Sequence, residues 1–389
     1  MHLLGKNITL YRYKAEAALK NEMLQDLDEP EICSIYIPDS MVPFIHNNPE
    51  EKIDFIEDDN RSAILPDPFV SIGGIRYYLS VKGIGSTTDP FSMRSLDRFH
   101  VSSLVNILEI KEKLMDHESK SNRFITGEVW LRGSPYGGQG LEHATIAMKA
   151  SSYANETSIN GFRIAPLVRV NFIPEELESA VKEIYWYRKF RGRIVQEIRL
   201  VPSNVRIYFH SYNTIGSNAK QVFDMFGLDT EEKTFMFEVN FVRSAIAMLT
   251  LFPRTMSKTP DGFYSGLDFY DVWLDKDAVI APDGTIFFVD LEGIEAIQIK
   301  KEKVKDKIEE QIFRSLYEFM FAYEQIDHER RDRFNGSVDR KVQFEILLKE
   351  AVKLDPFINI IEDGATLKML VKNALGDEEL NMEFPILER

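Results

Sequence analysis

Residues 235–252, FMFEVNFVRSAIAMLTLF, constrain this chain more than any other stretch. The run is long enough for about five turns of helix. It is apolar on most faces, so such a helix has to be buried. No apolar run in the sequence reaches the length that spans a membrane. A buried helix needs other elements packed around it, and the sequence downstream provides them. Residues 300–353 predict two or more helices, with Ile312, Leu316, Phe319, Met320 and Tyr323 forming a core stripe. Residues 354–389 read as acidic and partly helical.

The sequence upstream is different in kind. Residues 67–83, DPFVSIGGIRYYLSVKG, read as a hairpin turning at Gly73-Gly74. In its second strand Ile75, Tyr77, Leu79 and Val81 share one face; Arg76, Tyr78, Ser80 and Lys82 share the other. Lys82 therefore ends a strand and points away from the apolar face, where a lysine can grip phosphate oxygens. The loop that follows, Gly83-Ile84-Gly85-Ser86-Thr87-Thr88, lets backbone amides approach an anion. Residues 162–172 and 194–212 read as further strands, the second broken by Pro202-Ser203-Asn204. Helices are expected at about 101–116, inside an insertion at 96–126, at about 141–151, and at 175–190, the last with a basic end. Residues 1–66 read as a short helix over 15–27 followed by irregular chain, with the acidic stretch 49–60 on the surface. Strands followed by helices make an α+β chain. The expected division is an N-terminal extension, 1–66, a β-rich lobe, 67–213, and a helical lobe, 214–389.

Three features carry chemistry. In residues 283–293, DGTIFFVDLEG, a turn pair and a short buried strand end on Asp290, with Gly293 three places later. A carboxylate at a strand exit followed by glycine is a common way to hold Mg²⁺ against a nucleotide. Upstream of it lie a loop rich in Gly and Asp, 259–277, and the acids Asp271, Asp275 and Asp277. Arg199 and Arg206 bracket the Pro202 turn, and two arginines around one turn can converge on one anion. The glycine-rich 133–140 lacks the Lys-Ser/Thr ending of a P-loop, which excludes that reading. Glu142, which follows it, lies in the first turn of a helix, where an acid suits the dipole.

Composition narrows the classes. Of 389 residues, 44% are apolar and 28% charged, as in a globular protein, and the net charge is −15. That balance argues against a nucleic-acid or anionic-membrane partner. Cys33 is the one cysteine, so no intramolecular disulfide and no Cys-based zinc site are expected. The seven histidines fall in no ligand spacing. The first residues show no signal-peptide pattern, and the expectation is a cytoplasmic enzyme or binding protein.

The order strand-lysine, helix-glutamate, arginine-bracketed turn, long helix and strand-aspartate-x-x-glycine resembles the protein-kinase-like fold. Within it the chain is most similar to the selenoprotein O type of pseudokinase, which transfers AMP to proteins. The segment from Lys82 to Thr87, KGIGST, resembles that family's KGAGxT. The segment from Arg199 to Arg206, RLVPSNVR, is similar to its RVAPSHxRF, including the spacing of the arginines. Asp290 fills the place of its strand-ending aspartate. The resemblance spans residues 75–293. It implies two lobes with a nucleotide cleft between them, and ATP with Mg²⁺ or Mn²⁺ as cofactors. Lys82 and Glu142 would be the ion pair that steadies the phosphates, with Gly83 and Gly85 lining the loop. Arg199 and Arg206 would hold the outer phosphates of an ATP bound in reverse. Asp277 and Asp290 would bind metal.

The family's Asp-Asn pair is replaced here by Asp275-Lys276-Asp277-Ala278. If Asp277 takes the asparagine's place, the base falls to Asp275 or Asp271. If Asp277 takes the aspartate's place, Ala278 removes a metal ligand. The family's C-terminal redox cysteine is absent. Three functions follow as expectations: AMP transfer to hydroxyl groups of an unknown acceptor protein, ordinary phosphotransfer, or nucleotide binding without catalysis. No HRD segment precedes Asp290, which sets the chain apart from ordinary kinases.

Overall fold

The computed structural model describes residues 3, 7–13, 18–20, 34–37, 51–59, 62–83, 139–157, 161–172, 175, 193–207, 215–269, 277–291, 294–336, 338–355, 358–363, 366–372 and 379–383. The chain is α+β and divides into two compact units. One is a sheet unit, Leu4–Ser152 with Pro166–Val201; the other is Met1–Leu3, Tyr153–Ala165 and Pro202–Arg389.

The sheet unit holds ten strands, all paired antiparallel. They are β1 (Asn7–Tyr13), β2 (Ala18–Lys20), β3 (Ser34–Ile37), β4 (Glu51–Asp59), β5 (Ser62–Ile64), β6 (Val70–Ile72), β7 (Ile75–Lys82), β8 (Gln139–Gly140), β10 (Leu167–Phe172) and β11 (Ile194–Val201). The main path runs β2-β10-β11-β7-β5-β4-β1-β3, with β6 on β7 and β8 on β11. The expected hairpin is present as β6–β7. Gly73 and Gly74 both have positive φ, 58° and 84°, as a two-residue turn matching strand twist requires.

Residues 1–66 differ from expectation. Where a helix was predicted over 15–27, β2 pairs with β10, Leu19 opposite Val170. Within the acidic stretch 49–60, Glu51–Asp59 form β4, sandwiched between β1 and β5, with Phe55 and Ile56 buried. In each case a ladder on the edge of an existing strand outweighs local preference. Among the described residues of this region, β1 to β5 are strands of the ten-stranded sheet. The predicted helix at 101–116, the rest of the 96–126 insertion and residues 176–190 lie outside the described residues. Helix α1 (Leu141–Thr157) follows β8 and starts where expected.

Residues 162–172 form two strands rather than one. β9 (Arg163–Ile164) belongs to the second unit and β10 to the first, and the break is Ala165-Pro166. Pro202 ends β11 in the same way. A proline has no N–H to give a ladder, so a strand that reaches one tends to leave its sheet. Both prolines stand where the chain passes from one unit to the other.

The second unit is built on helices α2 (Ile215–Phe226), α3 (Glu231–Leu249), α4 (Leu251–Thr255), α5 (Val304–Phe334) and α6 (Arg340–Lys353). The long apolar run is α3. Thr230 caps it by accepting the Lys233 N–H at 3.3 Å, and Glu231 and Glu232 occupy its first turn. Its rings continue into the neighbours: Phe241 stacks on Phe319 of α5 at 5.3 Å, and Tyr323 meets Phe344 of α6 at 5.0 Å. Of the expected α5 stripe, Phe319, Met320 and Tyr323 are buried; the side chains of Ile312 and Leu316 lie outside the described set.

Among the described residues this unit also carries three small sheets. The loop expected at 259–277 contains β13 (Tyr264–Phe269), paired with β12 (Ser257–Lys258) and β16 (Ile294–Ile299). β14 (Ala278–Ile280) and β15 (Ile286–Phe288) form a hairpin with β9 parallel to β15. The tail expected to be partly helical carries a meander, β17 (Ile358–Asp363), β18 (Thr366–Lys372) and β19 (Glu379–Glu383). Its Ile-Asn-Ile-Ile and Leu-Lys-Met-Leu-Val runs favour pairing over helix. Among the described residues no helix is long and apolar enough to cross a membrane.

Candidate functional site

In the sheet unit, Lys82 closes β7 and is half-buried. Its face was expected to be the wetter one, yet Tyr78 and Ser80 on that face are buried, so β7 is covered on both sides. Directly paired residues of antiparallel strands share a face. Lys82 pairs with Glu197 of β11 and Ser62 of β5, and Ser80 pairs with Arg199. Glu197 and Arg199 are two apart on one strand and so share that face too. Glu197 is 0% exposed and Arg199 3%. Arg199 donates from Nε to Glu197 Oε2 at 3.1 Å and from Nη2 to the same oxygen.

The sheet thus carries, on one face, the buried Glu197 and Arg199 and the half-buried Lys82, flanked by two serines. The sequence reading named the two cations and overlooked the carboxylate. Alternation along IVQEIRLV places Glu197 beside Arg199, which was the available signal. Glu142 is exposed in the first turn of α1, where it suits the helix dipole. Gly83, just past Lys82, has φ +97°, and a Cβ there would lie 3.0 Å from the Val195 carbonyl oxygen. Only glycine fits both demands. Gly85 lies outside the described residues.

In the second unit, the DGTIFFVDLEG stretch forms the expected turn and strand. Asp283 Oδ1 accepts the Thr285 N–H at 2.9 Å, and the Asp283 carbonyl accepts Asn240 Nδ2 of α3 at 2.9 Å. Gly284 has φ +91°, and a Cβ there would fall 2.1 Å from the Phe237 carbonyl oxygen, so the turn lies directly on α3. At the far end of the hairpin the Val289 N–H donates to the Asp277 carbonyl at 2.8 Å. This bond brings Asp277, at the start of β14, beside the exit of β15, where Asp290 follows. Asp277 is buried, and Oδ1 of Asp290 is shielded from solvent.

Arg206 joins the same sheet. It bridges to Val279, and the Val205 carbonyl accepts the Ile280 N–H at 2.8 Å. Ser203 fixes the turn: its Oγ donates to the Ile280 carbonyl at 2.5 Å and accepts the Val205 N–H at 3.1 Å. Arg199 and Arg206, close in sequence, therefore belong to different sheets in different units. Asp277 and Asp290 are each hard carboxylates of the kind Mg²⁺ or Mn²⁺ takes together with waters and phosphate oxygens. Among the described residues no group of three or more His, Cys, Asp or Glu is placed to hold a metal ion. Asp275 and Asp271 lie outside the described residues.

The helical core holds a second buried acid that the sequence reading did not single out. Glu238 of α3 is 0% exposed. Gln343 Nε2 donates to its Oε2 at 3.2 Å, and Arg330 Nε stands 3.4 Å from its Oε1. Asp327 draws the stronger contacts, with Arg330 Nη2 at 2.6 Å and Arg331 Nη2 at 2.9 Å. Burial raises the Glu238 pKa to about 8 despite the partly opposing Arg330 charge. The neighbouring Tyr323 phenol is also pushed up, by burial first and by the charges of Glu238 and Asp327 next.

No known protein family, no curated protein and no solved structure matches this chain.

Proposed function

We propose that the chain binds ATP with Mg²⁺ or Mn²⁺ and transfers AMP to a hydroxyl side chain of an acceptor protein. The observation that carries this reading is the end of the β14–β15 hairpin, where the Val289 N–H reaches the Asp277 carbonyl and Asp290 follows in the chain, with Arg206 bridged to Val279 of β14. Two carboxylates for a cation and one guanidinium for an anion are what a metal-bound phosphate group calls for. The strand lysine Lys82, with a glycine of positive φ after it, is the matching feature of the sheet unit. In this reading the sheet unit corresponds to the N-lobe, and the helical unit to the C-lobe, of a protein-kinase-like chain.

When bound, the metal neutralises charge on the phosphate oxygens. Asp277 and Asp290 would hold it. Arg206, on the same hairpin, would hold a phosphate oxygen. The acceptor oxygen bonds to the α-phosphorus, the bond from that phosphorus to the bridging oxygen breaks, and pyrophosphate leaves. The hydroxyl proton passes to a carboxylate, for which Asp275 and Asp277 are the candidates. The absence of an HRD segment separates this reading from ordinary phosphotransfer.

One observation favours a second reading. Arg199 is engaged by the buried Glu197. A chain in which Arg199 is structural has one arginine fewer for a reversed nucleotide. It then binds ATP in the usual orientation and transfers phosphate, or binds without transfer.

A thermal unfolding series over ATP concentration, with Mg²⁺ or Mn²⁺, tests the binding step. A ligand that binds only the folded state raises the midpoint progressively. The proposal expects that rise in the natural chain and its loss in Asp290→Ala. A flat midpoint in the natural chain would remove ATP from the account.

A further inference from the structure

We infer that Glu238 and Asp327, reached by one guanidinium where α3 meets α5, form an acid pair that keeps a proton, and that release of this proton loosens the junction of α3, α5 and α6. Such a catch makes the helical unit responsive to pH. It does not depend on the nucleotide reading.

The geometry begins with two antiparallel helices. Phe241 of α3 stacks on Phe319 of α5, and the earlier Glu238 meets the later Arg330. On α3, Thr234 and Glu238 lie one turn apart; on α5, Tyr323 and Asp327 do, with Arg330 and Arg331 a turn further on. These spacings gather polar side chains of both helices along one seam. Thr234, Glu238, Tyr323 and Asp327 are all closed off from water.

Arg330 reaches both acids. Its Nη2 donates to Asp327 Oδ1 at 2.6 Å, while its Nε stands 3.4 Å from Glu238 Oε1, which makes no hydrogen bond among the described residues. Asp327 also holds Arg331 Nη2 at 2.9 Å. Glu238 has the neutral amide of Gln343, on α6, at its other oxygen. Two cations thus go to one acid, and the other is less costly to bury with its proton than without it. The buried hydroxyls of Thr234 and Tyr323, which make no hydrogen bond among the described residues, can accept from a protonated Glu238.

The other neighbours of α3 direct their charges elsewhere. On α6, Arg340 is paired with Glu324. Helix α2 meets α3 through Phe223 and Phe226 against Phe237, and its Asp224 is bonded to Arg333. The β14–β15 turn meets α3 at Phe237 and Asn240, with the Asp283 carboxylate turned to Thr285. Burial raises the Glu238 pKa from 4.5 to about 8, against the lowering by Arg330 and Gln343, and the Asp327 charge raises it further. The folded seam therefore binds the proton and an opened seam gives it up. The contribution is complete below about pH 4.5 and lost as pH rises through about 8. Once the proton has left, two buried anions face one another across the seam, and their repulsion disfavours the packed form.

The test is backbone hydrogen exchange of the full chain, read over residues 234–241 and 323–330 and corrected for the intrinsic effect of pH. The opening constant is expected to rise at least about tenfold from pH 6 to pH 8 in the natural chain and to stay level in Glu238→Gln. Glu238→Met takes its place should the glutamine variant not fold. No rise in the natural chain, or the same rise in the variant, overturns the inference. The part of Asp327 is read from infrared spectra of the natural chain and of Asp327→Asn, each subtracted from its Glu238→Gln counterpart to isolate one protonated carboxyl. In the natural chain the band is expected to disappear with a midpoint near pH 8. In Asp327→Asn, which hands Arg330 to Glu238, the midpoint should fall by at least about one pH unit. Arg331→Gln is added to restore the charge balance if that variant does not fold. A band missing at pH 6 in the natural chain would show Glu238 ionised and refute the acid pair, and a midpoint that Asp327→Asn leaves in place would remove Asp327 from it.

Discussion

Two glutamates in this protein are equally hidden from water and are treated in opposite ways. Glu197, in the sheet unit, has Arg199 donating to it from its own strand and Lys82 opposite it on the next. Glu238, in the helical core, has a glutamine and one distant guanidinium nitrogen, because Asp327 holds Arg330 and Arg331 more closely. The first accepts two N–H groups from Arg199 on one of its oxygens. The second is favoured as the neutral acid, with a pKa of about 8. For Glu238 burial outweighs the opposing charge of Arg330, whose nearer partner is Asp327.

The largest expected effect comes from breaking the compensated site. Arg199→Met leaves Glu197 buried without its fork, and should cost about 3–5 kcal/mol in urea unfolding. The double change Arg199→Met with Glu197→Leu should recover most of that loss. A single change that costs no more than the double would mean the pair is not mutually dependent.

Next comes the uncompensated site, with the opposite sign. The folded-state pKa of Glu238 lies above its unfolded value, so the folded form binds the extra proton. Its contribution is fully present below about pH 4.5 and is lost as pH rises to about 8. Glu238→Gln keeps the shape without the proton. It should raise stability at pH 8 by on the order of a few kcal/mol relative to its effect at pH 5. Urea midpoints of both proteins at the two pH values check this, and a gap between them that does not widen with pH counts against a neutral Glu238.

Smaller effects sharpen the contrast. Gly83→Ala forces a positive φ on a residue with a Cβ and presses it 3.0 Å from the Val195 carbonyl oxygen beside the Glu197 strand. A loss of about 1–3 kcal/mol is expected by chemical denaturation. Glu142→Gln, on an exposed first turn, should change stability by less than about 0.5 kcal/mol. A loss above about 1 kcal/mol would mean that Glu142 makes a contact its exposed position does not suggest.

What the sequence revealed was local. The Gly73-Gly74 hairpin, the apolar α3, the long helices after residue 300 and the turn-strand unit ending at Asp290 all depend on residues within a few places of one another. What it concealed depends on partners far away along the chain. The strand character of 18–20 and 51–59 comes from ladders with β10, β1 and β5. The opposition of Lys82 and Glu197 comes from a register between strands more than a hundred residues apart. Pro166 and Pro202 were visible as breaks, but their place at the passages between units was not. Asp277 and Asp290 were both named as metal ligands; the backbone bond from Val289 to Asp277, one residue before Asp290, required the fold.

The most direct test of the central claim is the intact mass of the purified full chain after incubation with ATP and Mg²⁺ or Mn²⁺, alone and with candidate acceptor proteins, beside Asp290→Ala. The account predicts a gain of one or more AMP groups on the chain or an acceptor, absent with the Asp290 variant. A gain of phosphate instead, or an AMP gain that survives Asp290→Ala, would contradict it.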